Sequence, residues 1–208
     1  MAPKTNVGKT YEVNTPEQQQ ALYDDWATNY EAELCAMGYR IPAAIAAVFT
    51  RFVAADTQPI LDAGCGAGIQ AEPLALLGYG PIVGIDLSDG MMAIAREKNL
   101  YSELHQAELG TRLDFADDQF GAVLSAGTIT PKHAPPESFE ELIRVSRKGA
   151  HIVFSMRDDP AQEPEYPQAV QHLADEGRWK WVFETDGFAS MPYGEPEISH
   201  RIYVYEVL

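Results

Sequence analysis

Between residues 59 and 156, short apolar runs alternate with segments of helical character. The run at residues 120–126 is continuous and apolar, as expected of a strand that is buried on both faces. The other predicted strands in this region are residues 59–63, 81–86, 102–107 and 151–156. This alternation predicts a doubly wound, mostly parallel sheet with helices on both of its faces.

The C-terminal part of the chain does not continue the succession of strand and helix. Residues 179–184 and 202–207 alternate between apolar and polar side chains, which predicts two paired strands that close the sheet. A short helix is predicted over residues 167–176, after an acidic, proline-rich surface loop at residues 158–167. The predicted fold is an α/β, Rossmann-like sheet of seven strands, mostly parallel, with an antiparallel strand near the C-terminus.

Two helices are predicted before the first strand. Thr15 can cap a helix, Pro16 suits its first position, and Gln18 completes a capping box. This helix is predicted to run to about residue 37, and a second, alanine-rich helix covers residues 42–54.

We predict one domain over residues 1–208, because neither an internal repeat nor a low-complexity tract divides the chain. Residues 15–54 would form a helical cap on a Rossmann-like core at residues 59–208. Residues 1–14 are polar and are predicted to be loose.

Local signals mark helices inside the core. Pro73 is predicted to end or kink the helix that follows the first strand. Ser88 is a predicted N-cap for the next helix. A later helix is predicted to carry Arg144, Arg147 and Lys148 in its last turn, where they complement the helix dipole.

Composition narrows the possible partners. The net charge of −16 argues against nucleic acid, whose phosphates would be repelled, and the 15 Lys and Arg residues are scattered. Cys35 and Cys65 have neither disulfide nor metal-ligand spacing, so no metal site is predicted and a reducing compartment is favoured. No apolar run of membrane-spanning length and no signal-peptide core is found. We therefore expect a cytoplasmic protein without a membrane partner; the sequence predicts no particular oligomeric state.

The stretch PILDAGCGAG carries the strongest chemical signal. Its glycines Gly64, Gly66 and Gly68 alternate directly after the first strand, and Asp62 precedes them. Alternate glycines permit positive φ and leave space for a ligand against the main chain. Amides at the start of the following helix would face the same place. The stretch predicts a nucleotide-like ligand.

An acid downstream fits the same ligand. Asp86 ends the second strand and follows Gly64 by 22 residues, close to the ~20-residue spacing of an acid that binds ribose hydroxyls. Two ligand classes share this layout: a dinucleotide and S-adenosylmethionine. A carboxylate at Asp62 would repel a pyrophosphate but suits the ammonium and sulfonium groups of S-adenosylmethionine.

These residues carry a family resemblance. LDAGCGAG followed by VGIDLS resembles motif I and its successor in the class I S-adenosylmethionine-dependent methyltransferases. Over about residues 20–157, segments including YDDWATNYE, GYRIP, FGAVLSAGTIT and FEELIRVSRKGAHIVFSMR resemble the methyltransferase-like proteins of the Williams–Beuren region type.

The resemblance implies a set of cofactor-binding residues. Asp86 would bind the ribose diol, and Asp62 would hold the amino group of the methyl donor. Glu108 and Leu109 stand where the family usually has Asp-Leu at the adenine. The other implied contacts are Tyr23, Trp26, Tyr30, Arg40, Gly64, Cys65, Gly66, Gly68, Leu87, Met91, Ser125 and Ala126.

The implied reaction is an in-line displacement at the sulfonium methyl, with the acceptor left open between a small molecule, which we favour, and a protein. His133 follows the fourth strand and is the candidate general base, since an unperturbed imidazole pKa near ~6.5 suits neutral pH. The alternatives are a nicotinamide-dependent oxidoreductase and a methyltransferase-fold binding protein without catalytic activity.

Overall fold

A computed structural model describes residues 5–208. Its sheet contains the strands β1 (Ile60–Ala63), β2 (Ile82–Asp86), β3 (Glu103–Gln106), β4 (Phe120–Ser125), β5 (Ser146–Arg157), β6 (Trp179–Glu184), β7 (Phe188–Met191) and β8 (Glu195–Val207). The strand order is β3-β2-β1-β4-β5-β8-β6, with β7 paired to β8 outside this path. Strands β1 to β5 are parallel, and β8 is antiparallel to both β5 and β6. The predicted doubly wound, mostly parallel sheet is confirmed.

The sheet has eight strands rather than the predicted seven. The additional strand, β7, has only four residues and pairs with the first half of β8, which is 13 residues long. The four residues of β7, FASM, do not alternate between apolar and polar side chains, so no strand was predicted there. Met191 of β7 and Ile198 of β8 pack against Trp26 and Leu34 of the cap, so this hairpin supports the N-terminal helices.

Seven helices surround the sheet in the described part of the chain: α1 (Asn6–Thr10), α2 (Pro16–Met37), α3 (Ile41–Phe52), α4 (Ala71–Leu76), α5 (Asp89–Glu97), α6 (Ser138–Val145) and α7 (Glu165–Asp175). Neighbouring residues of one strand face opposite sides of the sheet. Leu61 lies in the core beneath α6 and α7, whereas Ile60 lies in the core beneath α3 and α4. The central strands β1, β2 and β4 are therefore covered on both faces, which explains their continuous apolar runs.

The predicted start of α2 is confirmed. Thr15 Oγ1 accepts a hydrogen bond from Gln18 N at 3.3 Å, and Pro16 is the first helical residue. The Gln18 side chain reaches back to Asn14 N at 3.0 Å, one residue beyond the cap. Gly38 ends the helix in the left-handed conformation, with φ +74°.

The prediction that residues 1–14 are loose is wrong for residues 5–10, while residues 1–4 lie outside the described part. Thr5 caps α1 by accepting from Gly8 N at 2.9 Å. Val7 and Thr10 lie three residues apart on one face of α1 and are both buried. Val7 packs with Trp26 and Leu34 of α2.

The prediction that Pro73 ends or kinks the helix after β1 is also wrong. Residues 66–70 form a turn, and α4 begins only at Ala71. Pro73 therefore lies in the first turn of α4, where a backbone N–H has no partner within the helix. The proline leaves α4 unbroken.

The helix after residue 136 ends earlier than predicted. α6 ends at Val145, and Ser146 is extended, with ψ 141°, and pairs with Phe120. Arg147 therefore lies in β5, where its guanidinium donates to Gln58 O at 2.9 Å. Arg144 remains in the last turn of α6, as predicted.

The segment predicted as a surface loop at residues 158–167 is shorter, because α7 begins at Glu165. The loop is held by ion pairs: Asp159 binds Arg157 at 2.7 Å, and Asp158 binds Arg201 at 2.5 Å. The acidic character of this segment predicted exposure to solvent, but Asp158 and Asp159 anchor the loop to β8 and β5.

Among the described residues, no single helix is long and apolar enough to cross a membrane. Helices α2 and α3 meet the length and composition criteria only as a pair, which is bent by 82° at its break.

Candidate active site

The glycine stretch forms a turn at the carboxyl end of β1. Gly64 N and Cys65 N both donate to Ile85 O at 2.9 Å, which ties the turn to β2. Gly64 has φ +80°, and a Cβ atom there would lie 2.2 Å from Thr128 Oγ1. Only glycine therefore permits the close approach between this turn and the loop after β4.

A cavity of about 260 Å³ opens where this turn meets the ends of β2 and β4 beneath α2. Its walls come from the turn, the end of β2, the loop after β4 and one face of α2. The structure brings the following predicted residues to its wall: Tyr23, Tyr30, Gly64, Cys65, Gly66, Asp86, Leu87, Met91, Glu108, Leu109, Ala126 and His133.

Two predicted residues from the cap lie away from this cavity. The Trp26 ring is buried, and its indole N–H donates to Glu33 Oε2 at 2.9 Å. Arg40 is exposed in front of α3 and does not line the cavity. The structure therefore gives neither side chain direct access to a ligand in the main cavity.

Two predicted core residues also face elsewhere. The Ser125 hydroxyl is buried and donates to Ala63 O at 2.9 Å, which joins the ends of β4 and β1. Gly68 faces Tyr101, whose ring carbon would lie 3.0 Å from a Cβ atom at this position. Both residues shape the strand ends and the turn without lining the cavity.

The Asp62 carboxylate is fully buried behind the turn. It accepts hydrogen bonds from Gln70 Nε2 at 3.0 Å and from Tyr101 OH at 2.7 Å. Burial raises the pKa of Asp62 to about 7, although these two hydrogen bonds oppose the shift. Gln70 itself lines the cavity, so the carboxylate acts on the cavity through the Gln70 amide.

Asp86 is the acid at the cavity wall. Its Oδ2 accepts from Gly66 N at 2.8 Å, and its Oδ1 accepts from Ser88 N at 2.9 Å. Burial raises the pKa of Asp86, while these backbone hydrogen bonds lower it. A carboxylate has about four lone-pair sites, so each oxygen retains capacity for a ligand hydroxyl.

Helix α2 covers the cavity with two tyrosines. Tyr23 and Tyr30 lie about two turns apart on one helix face, with ring centroids 6.2 Å apart. Asp24 fixes the helix, because its Oδ1 accepts from Ser88 Oγ at 2.6 Å and from Gly90 N at 2.9 Å. The cap is thus fastened to the start of α5, next to Asp86.

His133 lines the cavity and is hydrogen-bonded to Tyr23. His133 Nδ1 lies 3.2 Å from Pro131 O, an acceptor, so Nδ1 carries the ring proton and Nε2 is the acceptor. Tyr23 OH therefore donates to His133 Nε2 at 2.9 Å. Burial lowers the pKa of His133 to about 4, so the expected pKa near ~6.5 is wrong for this ring.

Sequence reasoning missed several parts of the site. Tyr39, Gln70 and Thr128 line the cavity but belong to no predicted contact set. Tyr39 lies within GYRIP, a segment already singled out, so that segment was the available signal. Gln70 and Thr128 gave no signal, because their positions depend on how the turn and the loop after β4 meet.

The charge of the cavity wall distinguishes the two ligand classes. Asp86 and Glu108 line it, and the described residues contribute no Lys or Arg to the lining. A pyrophosphate would meet two acids and no cation there, whereas a sulfonium and an ammonium suit this wall.

Comparison with known proteins shows what the ligand-binding part of the chain is similar to. A model of the family described as "Methyltransferase domain" matches residues 61–154, which include the turn, Asp86 and the loop after β4. In this part, which forms most of the cavity wall, the chain is similar to the class I S-adenosylmethionine-dependent methyltransferases. S-adenosylmethionine is therefore the methyl donor of this methyltransferase, and the oxidoreductase alternative finds no support.

Two curated relatives illustrate the similarity. Methyltransferase-like protein 27 of Homo sapiens is 28% identical over 170 residues, covering 78% of this methyltransferase and 69% of the relative. Demethylmenaquinone methyltransferase of Renibacterium salmoninarum is 26% identical over 157 residues, covering 72% and 62%. The chain thus spans about two thirds of the length of these relatives.

Solved structures share the fold. The [4+2]-cyclase SpnF superposes with a TM-score of 0.73 at 15% identity, covering 94% of this methyltransferase and 97% of the cyclase. The 1,6-didemethyltoxoflavin-N1-methyltransferase of Burkholderia thailandensis gives 0.67 at 13% identity, covering 94% and 91%. Because one neighbour is named for a cyclisation, the fold alone does not determine the chemistry.

Proposed function

We propose that this methyltransferase transfers the methyl group of S-adenosylmethionine to a small-molecule acceptor. The observation that carries the proposal is the cover formed by α2, whose Tyr23 and Tyr30 close over the cavity beside His133. An acceptor must pass this cover to reach the donor. A small molecule meets that requirement more readily than a folded protein or a nucleic acid does.

The relatives' names support a small acceptor. Demethylmenaquinone methyltransferases and ubiquinone biosynthesis O-methyltransferases occur among the curated relatives, and a structural neighbour is named for didemethyltoxoflavin. The net charge of −16 further disfavours a nucleic acid acceptor.

The residues at the cavity wall fit the donor. We assign the ribose hydroxyls to Asp86, because this residue lines the cavity and backbone N–H groups already orient both of its carboxylate oxygens. Leu87, Met91 and Leu109 provide an apolar wall for the adenine, with the Glu108 carboxylate beside it. Gly66 has no side chain, so the backbone can approach the ligand between the ribose position at Asp86 and the apolar wall for the adenine.

The methionine end of the donor carries two positive charges. We assign it to the side of the cavity formed by Gly64, Gln70 and the tyrosines of α2. The Asp62 carboxylate lies behind Gln70 and supplies negative charge there. The faces of Tyr23 and Tyr30 also attract a cation, by about 0.5–2 kcal/mol for a ring in contact with one.

S-adenosylmethionine, when bound, supplies an electrophilic methyl group on a positively charged sulfur, and that charge is lost on transfer. The chain's own residues then manage the proton of the acceptor. Tyr23 can accept a proton from an acceptor hydroxyl while it gives its own proton to His133 Nε2. When the methyl group is transferred, the sulfonium loses its positive charge and His133 gains one. The net charge of the enclosed site is unchanged, which reduces the free-energy penalty of burying an imidazolium.

A labelling experiment tests the proposed acceptor class. The purified chain is incubated with S-adenosylmethionine carrying a radioactive methyl group and with a cell extract, which is then separated into small-molecule, protein and nucleic acid fractions. We expect label in the small-molecule fraction only, at a level that heat-inactivated enzyme does not reach. Label in the protein or nucleic acid fraction, or no label above the inactivated control, would contradict the proposal.

A further inference from the structure

A second, smaller cavity of about 50 Å³ adjoins the first. The two cavities share Tyr23, Tyr30, Tyr39, Gly127 and His133, so they meet at these residues. Asp86 and the other residues assigned to ribose and adenine line the first cavity alone. The second cavity therefore lies on the side of Tyr23 and His133, away from the nucleoside end.

The lining of the second cavity is aromatic and uncharged. Among the described residues, no Asp, Glu, Lys or Arg lines it. The residues that line this cavity and not the first are Val7, Thr10, Tyr11, Trp26, Leu34, Ile41, Thr130, Met191 and His200.

The nearest buried charges cancel each other. Arg157 stacks over Tyr11, with its guanidinium carbon 4.8 Å from the ring centroid, and its charge is balanced by Asp159 at 2.7 Å. Burial and the neighbouring Arg157 lower the pKa of His200 to about 4, although Asp158 and Asp159 oppose this shift. With His133 also neutral, the cavity carries no net charge at pH 7.

One polar atom in this wall lacks a partner. Thr130 is 3% exposed, and its Oγ1 makes no hydrogen bond. A buried hydroxyl without a partner destabilises a protein, so such atoms are rare unless a ligand or water satisfies them. A polar group of a ligand in the second cavity would satisfy Thr130 Oγ1.

The size of the second cavity limits what it can hold. A water molecule needs roughly 10–15 Å³ of such space, so the cavity accommodates a group of only a few non-hydrogen atoms. The methyl donor, with its adenosine and methionine parts, occupies the larger cavity.

We infer that the second cavity binds the reacting end of the methyl acceptor, and that this acceptor is a small, uncharged alcohol, phenol or amine held by a hydrogen bond to Thr130. The inference rests on the proposed function, because it assumes a small-molecule acceptor. The aromatic wall packs against the apolar skeleton of the acceptor, and its hydroxyl or amine lies between Thr130 and the Tyr23–His133 pair. Carboxylates and phosphates are excluded, since no cation in the lining would balance them.

The test compares Thr130→Val with the wild-type chain. Valine has nearly the shape of threonine but lacks the hydroxyl that has no partner. Methanol, ethanol and 2-propanol are the uncharged probes, because they have only two to four non-hydrogen atoms, and acetate is the charged probe of matched size. Binding of each probe is measured in the presence of saturating S-adenosylhomocysteine, alongside methyl transfer from labelled S-adenosylmethionine.

We expect wild type to bind and methylate at least one uncharged probe and to exclude acetate. Thr130→Val should weaken probe binding about fivefold to tenfold and leave the affinity for S-adenosylhomocysteine unchanged, while its melting temperature rises. Thr50→Val is the matched control, because the Thr50 hydroxyl donates to Ala47 O in an exposed turn of α3 and lines neither cavity.

The inference would be overturned by a preference for acetate over the uncharged probes, or by probe binding that Thr130→Val leaves unchanged. Failure to bind any uncharged probe would also overturn it. The labelling experiment with the cell extract tests the proposed function separately. If that function is wrong, the methyl label enters protein or nucleic acid, whatever the result with the probes.

Discussion

Replacing Asp86 with alanine is expected to lower the affinity for S-adenosylmethionine at least a hundredfold. The variant loses the carboxylate that we assign to the ribose hydroxyls, and it leaves Gly66 N and Ser88 N without their acceptors. A hydrogen bond to a charged group contributes about 1.5–3 kcal/mol, so the loss of two such bonds corresponds to a hundredfold or more. Isothermal titration calorimetry with S-adenosylhomocysteine measures this change.

Two further variants separate binding from folding. Asp86→Asn keeps one carbonyl oxygen and should give an affinity between those of wild type and the alanine variant. Asp89→Ala removes an exposed carboxylate in the first turn of α5, and it should bind as wild type does. A folded Asp86→Ala protein with wild-type affinity would refute the assignment of Asp86.

The second large effect concerns Asp62 and pH. Burial raises the pKa of Asp62 from 3.8 to about 7 in the folded chain. Between these two pH values the folded state holds a proton on Asp62 that the unfolded state lacks. The contribution of this proton to the free energy of unfolding is therefore fully present at low pH and is lost as the pH rises towards 7. At ~1.4 kcal/mol per pKa unit, the loss is of the order of 4 kcal/mol.

Asp62→Asn removes this titration while it retains a side chain of nearly the same shape for Gln70 and Tyr101 to contact. The variant should therefore gain stability over wild type as the pH rises from 4 to 8, by up to about 4 kcal/mol. It should also bind the cationic donor more weakly, since the negative charge behind Gln70 is gone. Urea unfolding of the donor-free chain at several pH values measures the first effect.

Asp56→Asn is the control for Asp62, because Asp56 is exposed in the loop before β1. Its stability difference from wild type should stay constant across the same pH range. If the difference between Asp62→Asn and wild type were equally constant, the carboxylate would not titrate as described.

Much of the fold was predictable because local signals agree with the tertiary structure. Thr15 with Pro16 determines the start of α2, and Ser88 determines the start of α5 by accepting from Met91 N. The strands buried on both faces show continuous apolar runs. Gly64 and Asp86 could be recognised because their chemistry depends on a short, fixed spacing along the chain.

The unpredicted features depend on contacts between distant segments. Asp24 gives no signal in the sequence, yet its carboxylate joins α2 to Ser88 and Gly90 at the start of α5. The pKa of His133 falls because the cap buries the ring, which no local pattern shows. The second cavity is lined by α1, α2, the loop after β4 and the strands β7 and β8, which are far apart along the chain.

The similarity to methyltransferases indicates the donor but not the residues that hold it. The central claim is that Asp86 holds the ribose and that the reacting sulfur faces Tyr23 and His133, beside the second cavity. A crystal structure of the chain with S-adenosylhomocysteine tests this claim most directly. We predict ribose hydroxyl oxygens at about 2.5–3.0 Å from the Asp86 carboxylate, with the sulfur on the side of Tyr23. A ribose placed away from Asp86, or a sulfur directed away from Tyr23 and His133, would contradict the account.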